Sequence, residues 1–190
     1  MKTLIAWIAL AIAAVGQTAP DFTVKNTKGE TVSLADLKGK VVVLEWTNHD
    51  CPFVKKHYQS GNIPKLQETY AAKGVVWLTV SSAAEGKQGY MEPAKLAERT
   101  AKEGNKAAHI LVDSDGKVGK AYGAKVTPHL FIISKDGKIA YDGAIDSKAT
   151  TKAEDIETAD KLFANALDAV LAGKEVVNPK NQPYGCGVKY

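Results

Sequence analysis

Arginine is almost missing from this chain. Arg99 is the only one among 25 basic residues, and the rest are lysines scattered along the whole length. A nucleic-acid surface gathers its basic side chains into a stripe, usually with arginine and interleaved aromatics. Dispersed lysines with a net charge of +4 exclude that class of partner and describe a solvated surface instead. Cysteine is nearly absent too. Cys51 and Cys186 permit one intramolecular pairing at most, which excludes the dense stapling of small secreted domains. They do not form a Cys-x-x-Cys or Cys-x-x-x-Cys chelate, so the compact thiolate metal clip is excluded as well. No apolar run is long enough to span a bilayer, and there is no internal repeat or second domain. What remains is a chain of 190 residues, 45% hydrophobic and 24% charged. Those values suit one soluble globular domain, large enough to bury a core without a disulfide.

The amino terminus reads as a targeting segment. Met1-Lys2 supplies positive charge, Thr3 to Ala13 is apolar, and Ala11-Ile12-Ala13 is a small-x-small cleavage pattern. Residues 1–13 are therefore expected to be a signal peptide, 14–172 the folded domain and 173–190 a tail carrying Cys186. Export points to an oxidising compartment, periplasmic or extracellular, with no membrane contact in the mature form. An exported protein with an even cysteine count usually carries a structural disulfide.

Along the chain, Ala19 to Ser33 with a turn at Asn26–Glu30 predicts a small opening hairpin. Leu34 to Leu37 predicts one turn of helix. Val41 to Trp46 is a continuous apolar run, the mark of a central parallel strand covered on both faces. A helix is expected from Pro52 to about Lys73, interrupted near Gly61–Pro64. Val75 to Val80 and Ala108 to Val112 are further strands, separated by a helix from Met91 to about Glu103. A short helix at Val118–Tyr122 precedes a hairpin of Leu130–Ser134 and Ile139–Tyr141. Ala153 to Leu171 has helical spacing, Gly173 stops it, and Val176 to Tyr190 reads as irregular. Strands alternating with helices and closing in a hairpin indicate an α/β three-layer sandwich. Asp113-Ser114-Asp115-Gly116 is a turn and not a calcium loop, because Lys117 and Ala124 fall where ligands are needed.

The chemistry centres on Asn48-His49-Asp50-Cys51-Pro52-Phe53-Val54. Reactive groups of such sheets gather at the carboxyl ends of the parallel strands, where this segment places a thiol between strand and helix. Pro52 suits the first helical position, since its missing N–H is not needed there. The free N–H groups and the helix dipole favour thiolate over thiol, and the thiolate is the reactive form. Lys55, one turn on, reads either as a further support for the thiolate or as a solvated helix face. Glu45 interrupts the apolar strand. A buried carboxyl is pushed up in pKa unless paired, so Glu45 reads either as a general acid–base beside Cys51 or as half of an ion pair with a lysine.

Three segments carry a resemblance: Ala19-Pro20-Asp21-Phe22, the junction at Cys51, and Val126-Thr127-Pro128 before the strand Leu130-Phe131-Ile132-Ile133. From about Val15 to Leu171 the chain resembles the thioredoxin-like superfamily in its redoxin and peroxiredoxin-like (AhpC/TSA-type) branch. The tail Tyr184-Gly185-Cys186-Gly187-Val188-Lys189-Tyr190 is similar to that of an exported redoxin-domain subgroup. The resemblance implies a thioredoxin-like α/β three-layer sandwich with a central mixed β-sheet, an N-terminal hairpin extension and an irregular C-terminal tail. It implies that Pro128 is cis and faces Cys51, with Thr127, Pro128 and Pro52 shaping the substrate contact and His129 at the rim. It also implies that Glu45 is the buried acid that moves protons for the thiol. Val54 stands where thioredoxins have their second cysteine, so exchange within a four-residue motif is excluded. The family's peroxidases carry Pro and Thr upstream of the peroxide-reactive cysteine; Leu44 and Asn48 occupy those positions here, and Arg99 lies in a helix elsewhere. The expected activity is thiol–disulfide exchange without the peroxidase equipment.

Such exchange needs a second thiol to resolve the mixed disulfide. Cys186 is the candidate, either as an intramolecular partner of Cys51 or as a tail thiol for an intermolecular bond, since the sequence gives no distance. The catalytic set is then Cys51, Cys186 and Glu45, with no cofactor. The partners are a thiol or disulfide protein or small molecule and an unidentified reductant. A rival reading takes Cys51, Cys186, His49, His57 and His129 as soft ligands of a copper-binding metallochaperone, or the chain as a non-enzymatic binding protein on the same fold.

Overall fold

A computed structural model describes residues 16–190, and the expected signal peptide lies outside the described residues. A hairpin of β1 (Thr23–Lys25) and β2 (Thr31–Ser33) leads into a 3-10 turn at Leu34–Leu37. β3 (Val42–Trp46) is followed by α1 (Pro52–Gln59), α2 (Asn62–Ala71), β4 (Val76–Ser81), α3 (Pro93–Lys102), β5 (His109–Val112) and α4 (Lys117–Tyr122). β6 (Val126–Thr127), β7 (His129–Ile133), β8 (Ile139–Gly143), α5 (Asp155–Thr158), α6 (Leu162–Leu171) and β9 (Cys186–Gly187) complete the order. The main sheet runs β5-β4-β3-β7-β8. β3, β4 and β5 are parallel, while β7 pairs antiparallel with β3 and β8.

Alternation along β3 divides the core between the two faces of the sheet. Val42, Leu44 and Trp46 pack with Leu78, Val80, Phe131, Tyr122 of α4 and Phe22 of the hairpin segment. Val41 and Val43 face the other way, against Val54 and Tyr58 of α1, Ile63 of α2 and Phe163 and Leu167 of α6. Val43, Leu44 and Leu130 have no exposed surface, each stabilising the fold by roughly 1.5–3 kcal/mol. This is the mixed-sheet, three-layer α/β architecture expected, with its hairpin extension.

Two helical stretches are broken, one where the sequence signals it and one where it suggests continuity. The expected 52–73 helix is divided at Gly61, whose φ of +74° costs little only without a Cβ. Pro64 then falls in the first turn of α2, where a missing N–H does no harm. The expected helix 153–171 is interrupted because Ala159 is extended. The Asp160 carbonyl accepts from Ser147 N–H, and Phe163 N–H donates to the Ile145 carbonyl. That interruption matters to the site, since it pins the loop bearing Asp146. The tail is irregular over most of its length but adds the two-residue strand β9, paired antiparallel with β6: Thr127 opposite Cys186 and Val126 opposite Gly187.

Candidate active site

Cys51 is the residue before α1, at the carboxyl end of β3. Pro52 opens the helix as expected. The Thr127–Pro128 bond is cis, and the Cys51 thiol donates to the Thr127 carbonyl at 3.0 Å. The structure therefore brings Cys51, Pro52, Thr127 and Pro128 together. It brings Cys186 there too: β9 sets Cys186 opposite Thr127, and its side chain packs on the apolar cluster that holds Cys51. Both cysteines are free thiols. The sequence puts the Cys51 sulfur at the open mouth of the sheet. It lies at that edge but with 0% exposure, because the tail packs on it: Tyr184 and Cys186 join the same apolar cluster.

The two thiols are electrostatically unequal. Burial pushes Cys51 up. The Cys186 thiol, the backbone N–H groups of Val54 and Cys186 and the Thr127 hydroxyl outweigh it, leaving Cys51 below the ordinary thiol range. The Thr127 carbonyl serves the protonated thiol and these donors serve the thiolate. Cys186 moves the opposite way, to about 11, through burial first and then its hydrogen bond to Cys51 and the charge there. The easier sulfur to ionise is Cys51, the one seated on the helix N-terminus.

Glu45 lies on the same face of β3 as Val43, fully buried. It accepts hydrogen bonds from the Tyr58 hydroxyl (2.8 Å), Trp77 Nε1 (2.8 Å) and Gln67 Nε2 (3.1 Å). Burial raises its pKa to about 7 against the pull of those donors. Its hydrogen-bond partners do not include the Cys51 sulfur, and among the described residues no lysine pairs with it. Lys55 has no ion pair among the described residues. The next residue, Lys56, turns inward, donates to the Lys148 carbonyl at 3.0 Å and sits 3.7 Å from Asp146.

Sequence reasoning missed a buried polar chain beside the thiols. Asn62 donates to His57 Nδ1 at 2.9 Å, His57 Nε2 meets the Tyr184 hydroxyl at 3.1 Å, and that hydroxyl donates to Asp146. With Asn62 donating to Nδ1, His57 is neutral and carries its proton on Nε2, toward the Tyr184 oxygen; burial lowers its pKa to about 4. Arg99 lies in a helix, α3, as expected, but its contact with the site loop was not foreseen. Its guanidinium reaches the His49 carbonyl at 3.4 Å and pairs with Glu103, which in turn holds the His49 ring. An arginine 50 residues further along the chain, on α3, thus braces the loop before Cys51. No local pattern marks this contact, which joins segments 50 residues apart.

The histidines of the rival metal reading are dispersed among separate partners: His49 with Glu103, His57 with Asn62 and Tyr184, and His129 with Asp142 at 2.8 Å. His129 is buried and not at the rim, and burial lowers its pKa. Among the described residues no group of three or more His, Cys, Asp or Glu is placed to hold a metal ion.

Fold and site define a thioredoxin-like protein with two free thiols gathered at the carboxyl edge of its sheet. The chain belongs to the AhpC/TSA family, whose profile matches residues 15–142. It is 31% identical over 126 residues to the thiol-disulfide oxidoreductase ResA of Geobacillus thermodenitrificans, covering 66% of this chain and 67% of that one. The chain thus spans about two thirds of that relative's length. Among solved structures it resembles an uncharacterized conserved protein from Geobacillus kaustophilus, with a TM-score of 0.78 and 27% identity over 94% of this chain and 93% of that one. It also resembles the thioredoxin domain of a thiol-disulfide oxidoreductase from Bacteroides vulgatus, with a TM-score of 0.56 and 22% identity over 76% and 96% of the two chains. Relatives named as thiol-disulfide oxidoreductases support a redox function. Among the described residues no helix is long and apolar enough to cross a membrane.

Proposed function

We propose that this chain is an exported thiol–disulfide oxidoreductase that works through Cys51 and Cys186. The observation that carries the reading is the gathering of two free thiols at the cis Thr127–Pro128 peptide, Cys51 bonded to the Thr127 carbonyl and Cys186 paired opposite Thr127. The Cys51 thiolate attacks one sulfur of a substrate disulfide. A Cys51–substrate bond forms, the substrate S–S bond breaks, and the departing sulfur takes a proton. Cys186 then attacks the Cys51 sulfur, forming the Cys51–Cys186 disulfide and releasing the second substrate thiol. The substrate gains two electrons and the protein dithiol loses them; an external dithiol donor restores the protein.

The opposed pKa shifts support this order. Cys186 is held up partly by its bond to Cys51 and by the charge there. Once Cys51 is tied into a mixed disulfide that charge is gone, and Cys186 ionises more readily. Glu45, half-protonated near neutrality, is assigned as the proton acceptor at this sheet edge. Thr127, Pro128 and Pro52 frame the substrate contact, residues 14–172 form the working domain and 173–190 the tail that delivers the second thiol. Export rests on the pattern of residues 1–13.

The test is insulin reduction driven by dithiothreitol. Cys51→Ser is expected to abolish thiol-dependent turnover with circular dichroism unchanged, and Cys186→Ser to accumulate protein–insulin mixed disulfides on non-reducing gels. Full activity in Cys51→Ser would sink the mechanism.

A further inference from the structure

The tail does more than carry a sulfur. β9 completes a two-strand ladder on β6, extended by Val188 N–H to the Lys125 carbonyl at 3.0 Å. Anchors lie at both ends. Upstream, the Tyr184 hydroxyl is held by Asp146 and His57, and its ring packs on Phe53 at 5.7 Å. Downstream, the Lys189 carbonyl accepts from Ala84 N–H and the Tyr190 hydroxyl donates to the Ala124 carbonyl at 2.8 Å. Lys120 lies over the Tyr190 ring. Between the anchors, Gly185 has φ +142° and passes so close to the cis peptide that a Cβ would collide with the Thr127 carbonyl oxygen. Only glycine adopts that path without strain.

We propose that this tail is a strap that must unpair from β6 before an extended polypeptide disulfide can reach Cys51, and that its return delivers Cys186 while expelling the reduced polypeptide. The proposal rests on the redox reading above and names its substrate class and its gate. Cys51 has no exposed surface while the strap is closed, so attack on any external sulfur requires an opening. Unpairing also removes the Cys186 thiol and backbone N–H from Cys51, two of the donors that favour its thiolate. An extended polypeptide pairing with Val126–Thr127 supplies a replacement backbone N–H, by strand addition to a free edge. A small disulfide has none to offer. Substrate and β9 therefore take turns on one edge, and closure of the Cys51–Cys186 bond coincides with release.

The experiment uses the full chain, reduced, with Gly185→Ala to weaken the strap and Tyr190→Ala to remove its far anchor. Iodoacetamide labelling of Cys51, resolved from Cys186 by peptide mass, should accelerate about tenfold or more in Gly185→Ala, as strain at such a backbone position implies. Labelling should also rise in Tyr190→Ala. With insulin as the polypeptide probe, Gly185→Ala should accumulate more mixed disulfide, because the resolving thiol returns more slowly. With 2-hydroxyethyl disulfide as the small probe, wild-type turnover should be slower than with insulin at equal disulfide concentration. Unchanged Cys51 labelling in both variants, with native circular dichroism, overturns the strap and leaves the redox reading intact. Faster wild-type turnover of the small disulfide overturns the polypeptide assignment. Absence of insulin reduction by wild-type protein together with accelerated labelling in the variants overturns the redox reading and keeps the gate.

Discussion

Two of the buried carboxyls, Asp113 just past the end of β5 and Glu45 within β3, are built differently. Asp113, on the side of Trp46 and α4, accepts from the Ser82 hydroxyl and from the backbone N–H groups of Val118 and Gly119. It satisfies the first turn of a helix, a structural task. Glu45, on the side of α1 and α2, accepts from three side chains, those of Tyr58, Gln67 and Trp77. It completes no turn and caps no helix. Burial raises both carboxyls, yet only the Asp113 site leaves backbone donors stranded if the acid is lost. A raised carboxyl is therefore a weak sign of chemistry until its partners are inspected. A carboxyl held by side chains alone, on the thiol face of the sheet, is the better candidate.

The largest expected effect comes from Glu45→Ala, which strands a phenol, an amide and an indole in the interior. A loss of about 4 kcal/mol in urea unfolding is expected, from two or more buried donors left unsatisfied. A loss below that of Asp113→Ala would break the contrast. Next is pH. Glu45 is raised in the folded state, so between the ordinary carboxylate range and about 7 the native protein binds the proton and the unfolded chain does not. Its stabilising contribution is complete at low pH and is lost as pH rises through about 7. The wild-type minus Glu45→Gln difference in unfolding free energy should therefore fall by about 3 kcal/mol across that window. A flat difference would remove Glu45 from any proton-handling role. Asp113→Ala should cost about 2 kcal/mol, as a lost helix cap plus one buried bond, with the pH profile of insulin reduction unmoved. The smallest effect is Tyr190→Phe, which deletes one hydrogen bond on the Asp113 side, about 1 kcal/mol of tail docking. It should appear as faster amide exchange of Val188 with the melting temperature nearly constant.

Legibility followed locality. Val41 to Trp46 was readable as a central strand because burial on both faces leaves a continuous apolar run, and Glu45 stood out against it. The thiol at the strand–helix junction followed from Cys51-Pro52. The division of residues 52–73 was signalled by Gly61 and Pro64, whereas the interruption at Ala159–Asp160 was not. Its cause is a hydrogen-bond exchange with Ser147 and Ile145, contacts between distant segments that no local periodicity records. β9 was invisible for the same reason: two residues pair with a partner far upstream. The burial of Cys51 depends on that pairing, and so do the roles of Tyr184 and Gly185. The sequence contained the residues of the site without the register that joins them.

Trp77 gives this protein a label-free optical probe. Its indole N–H ends on the Glu45 carboxylate, so its emission must respond when that group gains or loses a proton. Trp46 reports from the opposite face through Ser82. Replacing Trp46 with Phe would leave fluorescence dominated by the indole beside Glu45 among the described residues, and a simple spectral titration would then follow one interior acid in the working protein.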